Sequence, residues 1–262
     1  MDLTLMSYNI KVGSWTAGGL EAVAAVIAGV NPDIVALQEV DRGMPRTGGV
    51  DQAAWLGERL QYHAVFAPAS GGAAFGLEQG EYGIAMLSRR PIVEHEQRLL
   101  YHRPLPPEQR PARYHTEQRA VLGSTIDLGE TLLDVFCTHF DLAEDQRMHQ
   151  AAEVAEFCTS WHPGRPVVVM GDFNAEPHST EIATLRRALR DVFYEQGISG
   201  DERLTFPSGP LGSRTEDGWS GAIDYVFVSP DIQVRAIEVL RETSPASDHA
   251  PVVARLEIPG SA

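Results

Sequence analysis

Asn9, Gln38-Glu39, His139, Asp172, Asn174, Asp224 and Asp248-His249 share one kind of address: each stands where an apolar, strand-like run gives out. A fold does not need such residues there. If those ends meet at one rim, the rim gathers carboxylates, two histidines and side-chain amides. Carboxylates crowded together repel one another unless a cation sits among them. An oxygen-rich set of ligands favours magnesium, manganese or calcium over zinc.

Each residue taken alone has a plainer explanation. Asp172-Phe173-Asn174 suits an Asx turn closing a strand, with Phe173 turned the other way, toward a core. Glu39 could be the solvated last residue of Val35-Ala-Leu-Gln-Glu39, and Ser247-Asp248-His249-Ala250-Pro251 a turn before a final strand. Asp224 is harder to dismiss. It lies in Ala222-Ile-Asp-Tyr-Val-Phe227, and a carboxylate buried among such neighbours is costly without a partner. His249 is the candidate partner.

The elements that must position these groups can be read from the hydrophobic periods. Leu3–Ile10 alternates as a strand does, Leu20 onward is helical until Gly29 and Asn31-Pro32, and Asp33–Glu39 is a short buried strand. The plan recurs in the second half: a strand over Thr131–His139, a helix over Glu144–Trp161 and a strand over Arg165–Asp172. Further strands are predicted at Tyr82–Ser88, Ile92–Leu100, Arg119–Asp127, Ala222–Ser229, Ile232–Arg241 and Pro251–Ile258, with helices at Asp51–Gln61 and His178–Arg190. Tyr101–Thr116, with its prolines, and Gly197–Gly221 resist assignment; loops of that length usually serve a binding site or move. No low-complexity linker divides the chain, so a single domain over residues 1–262 is expected, with stacked sheets flanked by helices.

Composition narrows the partners. Twenty-one Lys+Arg against 36 Asp+Glu leave a net charge of −15, and Lys11 is the one lysine. Such a surface repels nucleic acid and anionic membrane, an effect screened beyond roughly 8 Å in physiological salt. The N-terminal residues lack the basic flank and apolar centre of a signal peptide. The most apolar run, Ala22–Val30, is far short of the ~20 residues that span a bilayer. Cys137 and Cys158 sit in apolar surroundings and are expected to be reduced core residues. Together these point to a cytoplasmic protein without a transmembrane segment, and a monomer is expected.

Seven motifs then come in a telling order. They are Ser7-Tyr8-Asn9-Ile10, Leu37-Gln38-Glu39, the run Tyr82–Arg89, Thr138-His139-Phe140-Asp141, Gly171-Asp172-Phe173-Asn174, Ile223-Asp224-Tyr225 and Ser247-Asp248-His249-Ala250-Pro251. In order and rough spacing they resemble the endonuclease/exonuclease/phosphatase superfamily, from residue 4 to about residue 258. The resemblance implies an α+β fold, a four-layer αββα sandwich of two mostly antiparallel sheets flanked by helices. It also implies magnesium, with manganese or calcium as substitutes, surrounded by Asn9, Glu39 and Asp248, with Glu39 the principal ligand. Asp172 and Asn174 would orient the attacking water and hold the phosphate. His249, held by Asp224, would be a general base or a phosphate-binding cation. His139 would stabilise or protonate the leaving side, supported by Glu81. Arg119 resembles a phosphate-contacting arginine, its plain alternative being a charge at a strand edge.

Two positions depart from the pattern. Lys11 stands where several nuclease members carry an acid, which counts against a second metal, and Ala222 stands where an arginine often precedes Ile-Asp-Tyr.

The expected activity is metal-dependent hydrolysis of a phosphoester by in-line attack of an activated water. A small or lipid-derived phosphoester fits the charge better than nucleic acid, whose binding needs a cationic phosphate track. A DNA or RNA nuclease using the same site and a non-catalytic binding module remain as alternatives. Arg46, in the stretch after Glu39, and the arginines and histidines of Tyr101–Thr116 are candidates for contacting the substrate's far side.

Overall fold

In the computed structural model, which describes residues 1–104, 117–241 and 245–260, two six-stranded sheets pack face to face. The first runs in the order β11 (Gln233–Val239), β12 (Val252–Glu257), β1 (Asp2–Asn9), β2 (Ile34–Arg42), β4 (Glu81–Ser88) and β3 (His63–Gly71). The second runs β5 (Ile92–Leu99), β6 (Ala120–Asp127), β7 (Leu132–His139), β8 (Val167–Asp172), β10 (Asp224–Val228) and β9 (Arg190–Asp191). Each sheet has one parallel pair at its centre, β1 with β2 and β7 with β8; the other pairings are antiparallel. The two parallel pairs are the repeated strand–helix–strand plan, joined by α1 (Gly19–Val30) and α3 (Glu144–Ser160).

Side-chain alternation makes the layers. Leu3, Leu5, Ile34 and Ala36 meet Val135, Cys137, Val168, Met170 and Val226 in the core between the sheets. The opposite faces of the same strands pack outward. Met6, Tyr8, Val35 and Leu37 meet α1 and α2 (Gln52–Leu60), while Phe136, Val169 and Phe227 meet α3 and α4 (Thr180–Leu185). That is an αββα sandwich, and its central strands are buried on both faces, whereas the edge strands β3, β5 and β11 are largely exposed or half-buried. The helices start and stop where backbone chemistry dictates. Asn31 closes α1 in the left-handed conformation just before Pro32, and the Asp51 side chain caps α2 by accepting from the Ala54 N–H.

Three expectations need adjustment. The helix predicted over His178–Arg190 is only α4, followed by a turn and the two-residue β9. The strand β3 has no counterpart in the sequence-based assignment. The strand ending at Glu39 runs on to Arg42 through an irregularity. Among the described residues no helix is long and apolar enough to cross a membrane. Arg110, Arg113 and His115 lie outside the described residues.

Candidate active site

The inter-sheet face turns polar at one rim. Continuing the apolar rows by two residues gives Asn9 after Leu5 and Ser7, Gln38 after Ala36, His139 after Cys137, Asp172 after Met170 and Asp224 before Val226. Register then sets them side by side, His139 opposite Asp172 and Asp172 opposite Asp224 on neighbouring strands. Glu39 arrives differently. The β2–β4 pairing shifts register between Leu37 and Val40, and Glu39 sits in this irregularity with φ +54°. Bulges re-aim side chains in this way, and a left-handed non-glycine residue is a strained one. Asp248 and His249 come from the turn before β12, tied to the end of β1 by Ser247 Oγ donating to the Asn9 carbonyl at 2.7 Å.

Of these, Glu39, His139, Asp172, Asp248 and His249 border a cavity of about 360 Å³, with Asn9 and Asp224 behind them. Asp172 lines it and is buried. Its Oδ1 accepts the Asn174 backbone N–H at 2.9 Å, and its Oδ2 accepts Asn9 Nδ2 at 3.0 Å. That same Oδ2 lies 3.5 Å from His139 Nε2 and 3.6 Å from His249 Nε2. On the far side of its ring, His249 donates from Nδ1 to Asp224 Oδ2 at 2.9 Å. Burial raises the Asp172 carboxyl, and Asp224 adds to the effect, bringing it to about 7. Burial works against a charged His249, but Asp224 and then Asp172 outweigh it and raise the imidazolium to about 10.

His139 is the opposite case. Burial first, then the neighbouring Arg119, hold it well below the usual histidine range. Arg119 Nη1 lies 3.1 Å from His139 Nδ1. A guanidinium can only donate, so Nδ1 accepts and the ring proton sits on Nε2, toward Asp172. Asn174 Nδ2, 3.2 Å from that nitrogen, has its own acceptor in the Phe140 carbonyl at 3.0 Å. Arg119 is buried and lines the cavity, with Glu117 Oε2 at 3.3 Å from its Nη1.

Asn9 is fully buried behind this wall. Its Nδ2 also donates to Glu39 Oε1 at 3.1 Å, and its Oδ1 accepts the Lys11 backbone N–H. Glu39 Oε2 and Asp248 Oδ2 both face the Lys11 ammonium, at 3.8 and 3.3 Å. Their attraction, exceeding the cost of partial burial, raises the Lys11 pKa.

Thus the structure brings together Asn9, Glu39, Arg119, His139, Asp172, Asn174, Asp224, Asp248 and His249. Glu81 and Arg46 stand outside this group, although the Arg46 guanidinium lies 5.4 Å from the ring centre of Tyr82, which lines the cavity. Glu81 pairs with Arg42, whose Nε is 2.7 Å from its Oε2, and Arg46 makes a two-pronged pair with Asp41 at 2.7 and 2.8 Å. Neither lines the cavity. Phe206 and Trp219, in the stretch Gly197–Gly221 whose sequence shows no clear period, do line it; Phe206 sits with its ring centroid 5.0 Å from that of His249. A larger cavity of about 620 Å³ opens behind Ala222, lined by Arg186, Arg203 and Arg214 among others, and contains none of the chemical groups above.

Among the described residues, two groups at this site could hold a metal ion. Asp172, Asp224 and His249 bring ligand atoms within 4.8 Å of one another. There the His249 Nδ1 is already committed to Asp224. Glu39 and Asp248 instead turn one carboxylate oxygen each toward a common point where a cation, the Lys11 ammonium, already stands. The oxygen-rich donor set fits a hard divalent ion.

The Endonuclease/Exonuclease/phosphatase family model matches residues 6–249. The chain belongs to that family, whose members carry a phosphoesterase fold. It is 29% identical over 185 residues to YbhP, an uncharacterised protein of Escherichia coli strain K12. That match covers 69% of this chain and 64% of the relative's length. Among solved structures, an endonuclease/exonuclease/phosphatase from Beutenbergia cavernae superposes with a TM-score of 0.72 at 26% identity, over 99% of this chain and 72% of that one. The mannosyl-6-phosphatase of Bacteroides thetaiotaomicron does so with a TM-score of 0.74 at 21% identity, over 98% and 100%. A D. rerio TDP2 complexed with a single-strand DNA product gives 0.72 at 16%, over 98% and 99%. The last two establish the shared fold alone.

Proposed function

We propose that this protein is a metal-dependent phosphoester hydrolase that attacks a compact phosphoester with an activated water. The observation that carries the proposal is Asp172 Oδ2 poised between two histidine Nε2 atoms, 3.5 and 3.6 Å away, one held neutral and the other charged. Environments that push neighbouring groups apart in this way assign acid and base roles.

Asp172, with its carboxyl near 7, orients the water and accepts its proton. His249 is then a cation rather than a base, and its Nε2–H donates to a phosphoryl oxygen, with Asp224 fixing the ring. From the other side of Asp172, His139 donates a hydrogen bond from its neutral Nε2–H to the leaving oxygen, with Arg119 setting its tautomer; as the bond from phosphorus to that oxygen breaks, the departing oxygen takes its proton from solvent water. Asn174 shares the phosphate. Glu39, steadied by Asn9, and Asp248 would hold a magnesium ion, or manganese or calcium in its place. Such an ion would supply positive charge that offsets the negative charge of the phosphate and would polarise its P–O bonds.

Substrate class rests on charge. At −15 the protein suits a small or lipid-derived phosphoester better than an extended nucleic acid. Buried, unpaired Cys137 and Cys158 suit a reducing compartment such as the cytoplasm. A screen of bis-p-nitrophenyl phosphate, sugar phosphates, phospholipids and plasmid DNA with magnesium tests the proposal. Turnover of a small or lipid phosphoester that His249→Ala removes is expected. Turnover of plasmid DNA alone would make the protein a nuclease, and turnover of nothing would leave the binding-module alternative.

A further inference from the structure

Lys11 is the one lysine among 21 Lys and Arg residues, and its backbone is held in an unfavourable state. Lys11 and Val12 both have positive φ, +48° and +49°. For a β-branched valine this is costly, and it persists only because the surroundings impose it. The Lys11 N–H donates to Asn9 Oδ1 at 3.1 Å, and Gln52 Nε2 donates to the Val12 carbonyl at 2.7 Å. The Gly13 N–H closes the turn on the Ile10 carbonyl at 2.8 Å. Lysine is a point charge on a flexible stem that ordinarily extends into water. Here the turn aims the stem inward, with the ammonium 3.3 Å from Asp248 and 3.8 Å from Glu39.

Two of the site's cations are each shared by two carboxylates. His249 lies between Asp224 and Asp172, and Lys11 lies between Asp248 and Glu39: one cation of the protein's own for each pair of carboxylates. We infer that Lys11 is a resident cation that competes with the divalent ion for Glu39 and Asp248, so that metal enters only as the ammonium swings away. The inference rests on the reading of these two carboxylates as metal holders. A divalent ion added with Lys11 in place would meet a like charge at contact range, which costs several times more in a half-buried site than in water. The lysine stem can rotate out of the way, whereas the strained turn keeps it close enough to return.

Calorimetric titration of the full chain with manganese or magnesium chloride tests this, with thermal melts as a second readout. Lys11→Met keeps the stem and removes the charge; it should bind manganese at least about tenfold more tightly than wild type, with a larger metal-induced rise in melting temperature. Lys11→Arg keeps the charge and should bind like wild type. Should the methionine variant not fold, Lys11→Gln serves in its place with the same expectation. Unchanged or weaker metal affinity on removal of the charge would overturn the inference. A wild-type affinity untouched by Glu39→Gln would instead overturn the metal assignment beneath it, and the inference with it.

Discussion

His139 and His249 flank the same Asp172 oxygen, and what lies behind each ring decides its charge. Arg119 faces His139 Nδ1 and can only donate, while Asp224 faces His249 Nδ1 and can only accept. The pH dependence follows in sign. Asp172 must lose its proton to act as base, so kcat/KM should rise through about pH 7, and His249 must keep its proton, so kcat/KM should fall through about pH 10. These limbs belong to the interacting cluster as a whole. A rate that keeps climbing through pH 10 would make His249 the base instead. His249→Ala and Asp224→Asn should each slow turnover by at least about a hundredfold, and the double variant should be little worse, since residues acting as a unit are not additive. Losses that multiply would show that the two act separately. The Asp224–His249 contact was legible in the sequence, because a carboxylate among Ile223, Tyr225 and Val226 demands a partner. The place of Lys11 was not: it depends on a left-handed turn that no periodicity announces. Nor could residue type show that Glu81 and Arg46 are engaged with Arg42 and Asp41.

At the scale of elements, register does the assembling. The row His139–Asp172–Asp224 exists because β7, β8 and β10 align at their ends, and a slip by one residue would turn each side chain to the helix face. Gly171 protects that alignment: a Cβ there would collide with the Thr138 carbonyl of the adjoining strand. Gly171→Ala should therefore cost about 1–3 kcal/mol, the usual penalty for overpacking a tight interior, and should lower activity further by displacing Asp172. Urea unfolding read by circular dichroism checks the first effect; an unchanged midpoint would show that the strands can part without cost. Strongly periodic elements such as β1, α1, β7 and α3 were legible from sequence. The strand β3 was missed because it is an edge strand that carries Pro68 at a register shift, and proline in such a run argues against a strand. The β2 irregularity was missed for a related reason: apolar–polar alternation cannot show that one residue, Glu39, steps out of register.

For the whole molecule, charge is the governing property. A DNA track of 6–10 phosphate contacts would lose about 10³–10⁵ in affinity between 50 and 200 mM salt, whereas a compact substrate on a −15 protein should show a shallow dependence of KM on salt. A steep slope would favour the nuclease alternative. Metal should act on the fold as well: at 100 times its dissociation constant an ion bound only by the native state adds about 2.7 kcal/mol, and Glu39→Gln should remove that gain while leaving the apo melt intact. A melt unmoved by magnesium, manganese and calcium alike would contradict a divalent site between Glu39 and Asp248. The central claim is that Asp172, set between the two histidines, activates water for attack on phosphorus. It is tested most directly by the rate of bis-p-nitrophenyl phosphate hydrolysis in magnesium by wild type and by Asp172→Asn, with folding of both verified by melting. Wild-type turnover that falls by at least about a hundredfold in the variant, within the range of a lost general base, is the predicted result; equal rates would contradict it.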